Sequence, residues 1–182
     1  TQCLQNDFAK PLGKYDKVPN LLHIGYEEAK RLNGIDPEKG PISKLMNWAY
    51  SEENSDLDII HIRDWHDPND PDQRKHLDIF GDHCIHNTPG AEFVFNYDNS
   101  ISQEIVDSLG LNDFVGTRLE AVLDKHKNEP IKVGLVGVWS EAKVSFLAYD
   151  LVTRYPNFEV VICPALCAGS SVVEHHTALE RV

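Results

Sequence analysis

The sequence has few cysteines and few basic residues, and each shortage excludes a class of protein. Only four cysteines occur in 182 residues and none forms a Cys-x-x-Cys pair, so we expect free thiols rather than a secreted disulfide scaffold. Lysine and arginine together number 17 against 29 acidic residues, which gives a net charge of -12. Because the basic residues are scattered, a nucleic-acid partner is not expected.

Long apolar runs are also missing. No segment approaches the roughly 18 apolar residues that cross a bilayer, and the start does not resemble a signal peptide, so we expect a cytoplasmic protein without a membrane partner. The composition and the length of 182 residues fit one globular domain over 1–182. Since Thr1 opens in a predicted strand and Val182 closes in a predicted helix, we expect residues to be missing at both ends.

Three short apolar runs bounded by polar clusters predict buried strands at 56–63, 131–139 and 158–163. Between the last two, apolar residues at helical spacing over 144–155 predict a helix that crosses from one strand to the next. Such a crossover indicates a parallel sheet covered by helices on both faces. The predicted fold class is therefore α/β, with three α/β/α layers and a central, mostly parallel sheet.

Other segments also carry helix signals. Residues 19–33 predict a helix that ends at Gly34, and another helix is predicted to begin near Pro41. Two more are predicted over 117–127 and 170–182, each opening on a capping-type residue.

The stretch 64–90 is rich in Asp, His, Pro and Gly, and it follows directly after a predicted strand. Such a segment is too polar for the core and too long for a simple turn, which favours a functional loop. It contains one carboxylate and three imidazoles that suit Zn²⁺, Fe²⁺ or Mn²⁺: Asp64, His66, His76 and His83. The spacing alone equally allows histidines that merely solvate an acidic loop.

Several motifs resemble the isochorismatase/nicotinamidase-like cysteine hydrolase superfamily. Residues 63–66 (Arg-Asp-Trp-His), 83–84 (His-Cys) and 88–92 (Thr-Pro-Gly-Ala-Glu) follow the order of the nicotinamidase metal loop, and 5–8 (Gln-Asn-Asp-Phe) resemble the first-strand signature. The resemblance covers nearly the whole chain apart from an apparent helical insertion around 22–40. It implies a Rossmann-like three-layer fold, a metal at Asp64, His66 and His83 with His76 less certain, and a homo-oligomer.

The resemblance also implies a catalytic triad of Asp, Lys and a Cys nucleophile, but this sequence departs from it at each position. Cys3 stands where the proton-relaying Asp is expected, and Lys143 stands where the nucleophile is expected. The triad Lys falls near Asp107 or Ser108, and no lysine occurs between residues 76 and 124. All three roles are therefore substituted.

Lys143 is unusual on physical grounds as well. With Ser140 as the helix cap, Lys143 would lie in the first turn, where the helix dipole disfavours a cation. One interpretation is that Glu141 or a surrounding carboxylate neutralises the ammonium, and the other is that Lys143 reacts. In the second case a neighbouring ammonium would lower the pKa of the Cys3 thiol.

Three functions remain open at this point. The first is a catalytically degenerate family member that binds a small ligand or a protein partner. The second is an active hydrolase of a small amide or ester that uses an exchanged Cys3/Lys143 pair, or a water on the metal, as nucleophile. The third is a structural module whose segment 22–40 and acidic surface mediate assembly.

Overall fold

The computed structural model describes residues 1–182 and contains a parallel sheet with helices on both faces. Gln2 forms parallel bridges to two strands, so the first residues of the chain lie in the middle of the sheet. The order across the sheet is β2, β1, the N-terminal segment 1–3, β3 and β4. The predicted α/β class is confirmed, and the strands are β1 (Ile60–Asp64), β2 (Glu104–Ser108), β3 (Ile131–Val138) and β4 (Phe158–Ala168).

The helices pack into two separate apolar clusters because neighbouring strand residues point to opposite faces. On β1, Ile62 belongs to the cluster under α5 and α6, while His61 contacts Phe93 and Phe95 on the other face. None of the helices has the length and apolar character needed to cross a membrane. They are α1 (Asn6–Ala9), α2 (Gly25–Asn33), α3 (Pro41–Ala49), α4 (Pro71–Phe80), α5 (Leu119–Leu123), α6 (Ser145–Arg154) and α7 (Val172–Leu179).

The predicted helix over 19–33 is wrong in its first residues, because α2 begins only at Gly25. The Asn20 side chain accepts a hydrogen bond from Leu22 N at 2.8 Å, which forms a turn that competes with helix formation. Gly25 then adopts a φ of 79°, and a helix cannot run through that conformation. The predicted end of the helix at Gly34 is confirmed. Residues 25–33 therefore supply the only regular helix of the segment 22–40.

The last strand is longer than the sequence predicts. β4 continues to Ala168 through Pro164, although proline cannot donate a backbone hydrogen bond. The strand tolerates Pro164 because it pairs only with β3 and lies at the edge of the sheet. A shift in register between Leu135 and Gly137 accommodates the extra residues of β4.

Two elements were absent from the sequence prediction. Strand β2 is short, and its exposed Asp107 interrupts the apolar pattern on which strand prediction depends. Helix α4 lies inside the stretch 64–90, so the prediction that this whole stretch is a loop is wrong. Its start carries a readable signal, since the Asp70 side chain caps Asp72 N at 2.9 Å and Pro71 opens the first turn.

The α5 and α7 helices are shorter than the predicted ranges 117–127 and 170–182. The residues after Leu123 form turns rather than helix, and α7 ends at Leu179. The caps also differ from the prediction: α7 is capped by Ser171 rather than Ser170, with Ser171 Oγ accepting from Glu174 N at 3.2 Å. The N-cap residue of α5 is Arg118, and Thr117 Oγ1 accepts from Leu119 N at 3.1 Å in the turn before it.

His61 is a polar residue of β1 that is completely buried. Its Nε2 contacts Gln103 Oε1 at 2.8 Å, and aromatic rings of Phe93, Phe95 and Tyr97 surround the imidazole. Burial lowers the pKa of His61 from 6.5 to about 3. The folded protein therefore keeps this ring neutral at pH values where the unfolded chain protonates it.

This difference predicts a loss of stability in acid. Below about pH 6.5 the unfolded state binds a proton that folded His61 refuses, so the free energy of unfolding should fall by up to about 1.4 kcal/mol per pH unit from this group. Urea unfolding followed by circular dichroism, repeated at steps of about 1 pH unit between pH 4 and pH 8, measures the effect. His61→Gln should flatten the slope, whereas the exposed His176→Gln should keep the wild-type slope. Equal slopes for His61→Gln and the wild type would contradict the prediction.

Candidate functional site

The candidate site lies at one edge of the sheet, where the carboxyl ends of the parallel strands meet. Asp64 ends β1, Ser108 ends β2, and Cys3 ends the central N-terminal segment 1–3. Lys143 lies on a turn of π-helix, Ser140–Val144, which begins two residues after β3 ends. Open α/β sheets place their ligands at this edge.

Three histidines and one aspartate meet there as a group. The ligand atoms of Asp64, His66, His76 and His83 all lie within 4.8 Å of one another. The Nε2 atoms of His66 and His83 are 3.7 Å and 3.6 Å from Asp64 Oδ2, too far for hydrogen bonds. The Nε2 atoms of all three histidines are buried without a hydrogen-bond partner.

The contacts of the Nδ1 atoms of His66 and His83 show that Nε2 is the ring nitrogen with a free lone pair. His83 Nδ1 lies 2.7 Å from Gly81 O, which can only accept, so Nδ1 donates and Nε2 keeps a lone pair. His66 Nδ1 lies 3.3 Å from Gln73 Oε1, an oxygen that also accepts from Asp67 N at 3.2 Å. Both Nε2 lone pairs therefore face Asp64 Oδ2, and this donor set fits a divalent cation such as zinc.

The Lys143 ammonium adjoins this group and is almost completely buried, at 6% exposure. It donates to Asp64 Oδ1 and, at 2.9 Å, to Ser108 Oγ. Asp113 Oδ1 lies 3.0 Å from the same nitrogen. Carboxylates from the end of β1 and from the loop after β2 thus neutralise Lys143, while Glu141 instead accepts a hydrogen bond from Ser170 N at 2.7 Å.

The ion pairs control the protonation of these groups. Burial by itself would lower the pKa of Lys143, but the surrounding acidic groups, Asp64 foremost, together outweigh it and hold the pKa well above the usual value. Burial would likewise raise the pKa of Asp64, yet Lys143 and the histidines hold it well below the usual value. The pKa of Asp113 is raised because burial exceeds the opposing effect of Lys143. Lys143 therefore remains an ammonium.

Cys3 lies in the same cluster but is not an activated thiol. Its Sγ is 3.5 Å from Asp64 Oδ1 and 3.1 Å from Gln2 Nε2, and the residue is 1% exposed. Burial and the nearby Asp64 carboxylate raise the pKa of Cys3 well above its ordinary value, and the ammonium of Lys143 opposes this only in part. The expectation of a depressed pKa for Cys3 is therefore wrong, because burial and Asp64 together outweigh the ammonium of Lys143.

Ser108 and Asp107, the two residues considered for the missing triad lysine, differ in their surroundings. Ser108 is buried and contacts Lys143, whereas the exposed Asp107 points away and pairs with Arg63 at 2.6 Å. Adjacent strand residues face opposite sides, so only one of the two can reach the site. Ser108 is therefore the residue of this pair that lies in the site.

The local structure around Lys143 differs from a capped α-helix. Trp139 precedes the π-helical turn, and the predicted cap Ser140 instead contacts His175 Nδ1 through its hydroxyl at 2.7 Å. The assignment of Ser140 as a cap is therefore wrong, because α7 offers its side chain a buried partner. The wider π-helical turn leads directly into α6.

A cavity of about 200 Å³ opens beside the cluster, and Cys3 and Lys143 both contribute to its wall. Trp139 also lines it, and the indole Nε1 of Trp139 is buried without an acceptor. The other walls are largely apolar and include Phe8, Leu22, Phe80, Leu111, Val138 and Phe146. The cavity can hold a small molecule against the charged cluster.

Sequence reasoning missed two supporting residues. Asp113 lies in the loop after β2, and no spacing rule connects it with Lys143. Gln73 positions His66, and the only signal for it is its place three residues after the cap Asp70. Both residues become visible only when separate loops fold together.

Comparison with known proteins agrees with this geometry. The family model described as the isochorismatase domain matches residues 5–182. No curated protein sequence matches the chain.

Solved structures similar to this chain share its fold at low sequence identity. An isochorismatase-like hydrolase from Alkaliphilus metalliredigens is 23% identical with a TM-score of 0.74, over 99% of this chain and 86% of that one. The pyrazinamidase of Pyrococcus horikoshii in complex with zinc is 24% identical (TM-score 0.71, covering 99% and 90%). The nicotinamidase/pyrazinamidase of Bacillus subtilis is 20% identical (TM-score 0.70, covering 99% and 90%). With the family model matching from residue 5 to residue 182, the chain belongs to the isochorismatase family.

Proposed function

We propose that the chain is a catalytically degenerate isochorismatase-family protein that holds a divalent metal ion and binds a small ligand in the adjacent cavity. The observation that carries this proposal is the position of Lys143. Its ammonium occupies the place where the family resemblance expects a thiolate nucleophile, and it is bound by Asp64, Asp113 and Ser108. An ammonium has no lone pair with which to attack a carbonyl.

The remaining residues do not supply the missing chemistry. A cysteine attacks as its thiolate, whereas burial and Asp64 favour the neutral thiol of Cys3. The Ser108 hydroxyl is already engaged in two hydrogen bonds. It accepts one from the Lys143 ammonium and donates one to Gly110 O at 3.1 Å. Lys143 is therefore held in ion pairs with Asp64 and Asp113, while Cys3 and Ser108 carry no charge.

The metal part of the proposal rests on the unpartnered nitrogens. Asp64, His66, His76 and His83 would hold the ion, which would act as a Lewis acid toward a ligand in the cavity. Gln73 and Gly81 O orient two of the imidazoles. Zinc is the ion that we propose first, with Fe²⁺ and Mn²⁺ as the alternatives the donor set also suits.

A second candidate is an active hydrolase that uses an exchanged Cys3/Lys143 pair or a metal-bound water. The observation in its favour is that Cys3 and Lys143 line the same cavity. The first proposal, the degenerate protein, also includes a protein partner, a homo-oligomer and a cytoplasmic location. Light scattering tests the oligomer. The experiments below separate the two candidates.

Purified protein should bind close to one divalent ion per chain. His66→Ala or His83→Ala should each weaken binding by about tenfold or more, because each removes a ligand. Elemental analysis and competition with a chromophoric chelator measure occupancy and affinity. His86→Ala is the matched control, since His86 lies in the same segment but outside the cluster. A metal affinity that survives the loss of both His66 and His83 would refute the site.

The wild-type protein should not hydrolyse nicotinamide, pyrazinamide or simple esters, because the nucleophile position is occupied by an ammonium. Release of ammonia or acid over hours gives the measurement, with and without added Zn²⁺. Turnover that disappears in Cys3→Ala or Lys143→Met would instead support the exchanged pair. Turnover that only a chelator or His83→Ala abolishes would support a metal-bound water.

Cys3 should resist alkylation in the folded protein. Because Cys3 is 1% exposed and its pKa is raised, its reaction with iodoacetamide at about pH 7.5 should be about tenfold or more slower than that of Cys163. Cys163 is half-buried in the same molecule and serves as the internal control. Peptide mass spectrometry quantifies both sites, and unfolding in urea should equalise them. Faster reaction at Cys3 than at Cys163 would contradict the degenerate assignment.

A further inference from the structure

The Lys143 ammonium lies between two carboxylates from different segments of the chain. It donates to Asp64 Oδ1 at the end of β1, and it lies 3.0 Å from Asp113 Oδ1 in the loop after β2. Ser108 Oγ, at 2.9 Å, completes its surroundings. The nitrogen thus has two acidic partners where neutralisation of one positive charge needs only one.

The two oxygens of Asp64 serve different neighbours. Oδ1 accepts from Lys143, while Oδ2 faces the free Nε2 atoms of His66 and His83 at 3.7 Å and 3.6 Å. One carboxylate is therefore shared between an ammonium that is always present and the position that a metal ion would take. Two cations on one carboxylate repel each other, and the repulsion is strong because the site is buried.

Asp113 has unused capacity to accept hydrogen bonds. It is 3% exposed, and neither of its carboxylate oxygens has a hydrogen bond of good geometry, although Oδ1 lies within ion-pair distance of Lys143. A buried carboxylate in this condition is costly unless it gains a partner. A fuller pairing with Lys143 would meet that need.

We propose that Lys143 is an internal competitor for Asp64, and that Asp113 is the acceptor that takes over the ammonium when a metal ion binds. This inference rests on the proposed function, since it concerns how the same metal site is regulated. Lys143 lowers the affinity of the site, and Asp113 restores part of it by drawing the ammonium away from Asp64. The pair therefore sets the metal concentration at which the site fills.

Two single substitutions should move the affinity for Zn²⁺ in opposite directions. Lys143→Met removes the competitor and should tighten binding by about tenfold or more, whereas Asp113→Asn removes the alternative acceptor and should weaken it by a similar factor. Competition against a chromophoric chelator at a fixed pH gives both constants. Asp107→Asn is the matched control, because it makes the same change on the outward side of β2, and it should leave the affinity unchanged.

The double variant separates this mechanism from simple long-range electrostatics. If Asp113 acts through Lys143, Asp113→Asn should have little effect in a protein that already carries Lys143→Met. If the two charges act independently on the metal, the two effects should add. Additive effects would overturn the proposal.

Folding of each variant is checked by circular dichroism and thermal unfolding, since Lys143→Met leaves two buried carboxylates unpaired. Lys143→Gln, which keeps a polar contact to Ser108, replaces it if Lys143→Met does not fold. Zinc affinities that are equal in the wild type and all variants would overturn this inference and leave the proposed metal site intact. If no variant, including Lys143→Gln, binds Zn²⁺, both this inference and the proposed metal site are overturned.

Discussion

The Asp64 carboxylate is the constraint on which the rest of the site depends. One oxygen holds the Lys143 ammonium and the other faces the histidine nitrogens, while Gln5 binds the Asp64 backbone at both N and O at 2.7 Å. Because Asp64 is buried, removing one partner of its ion pair would cost about 3–5 kcal/mol. Lys143 and the histidine cluster are therefore coupled through a single side chain.

The parallel sheet makes this coupling available. Parallel strands end at the same edge, so residues distant in sequence meet there. β1 supplies Asp64, β2 supplies Ser108, and the turn after β3 supplies Lys143. The buried Lys143 ammonium does not remain an unpaired charge, because Asp113 and Asp64 both reach its nitrogen.

Much of the fold could be predicted from residue patterns. Runs such as 131–139 are apolar enough to indicate buried strands, and the period of 144–155 indicates the crossover helix, which α6 confirms between its observed bounds. The failures have local causes: Asn20 redirects the chain before α2, and the edge position of β4 lets the strand continue through Pro164. Strand order and edge position are properties of the assembled sheet, which a linear pattern does not contain.

The sequence by itself determined which chemical groups the site contains: the histidines and Asp64 in one segment, and the replacement of the expected triad by Cys3 and Lys143. The tertiary structure alone decided their states. It placed Asp64 beside Cys3, so that burial and a carboxylate raise the thiol pKa, and it selected Ser108 rather than Asp107 to face Lys143. Protonation and pairing depend on distances across loops and on exclusion of water, and these arise only when the chain is folded.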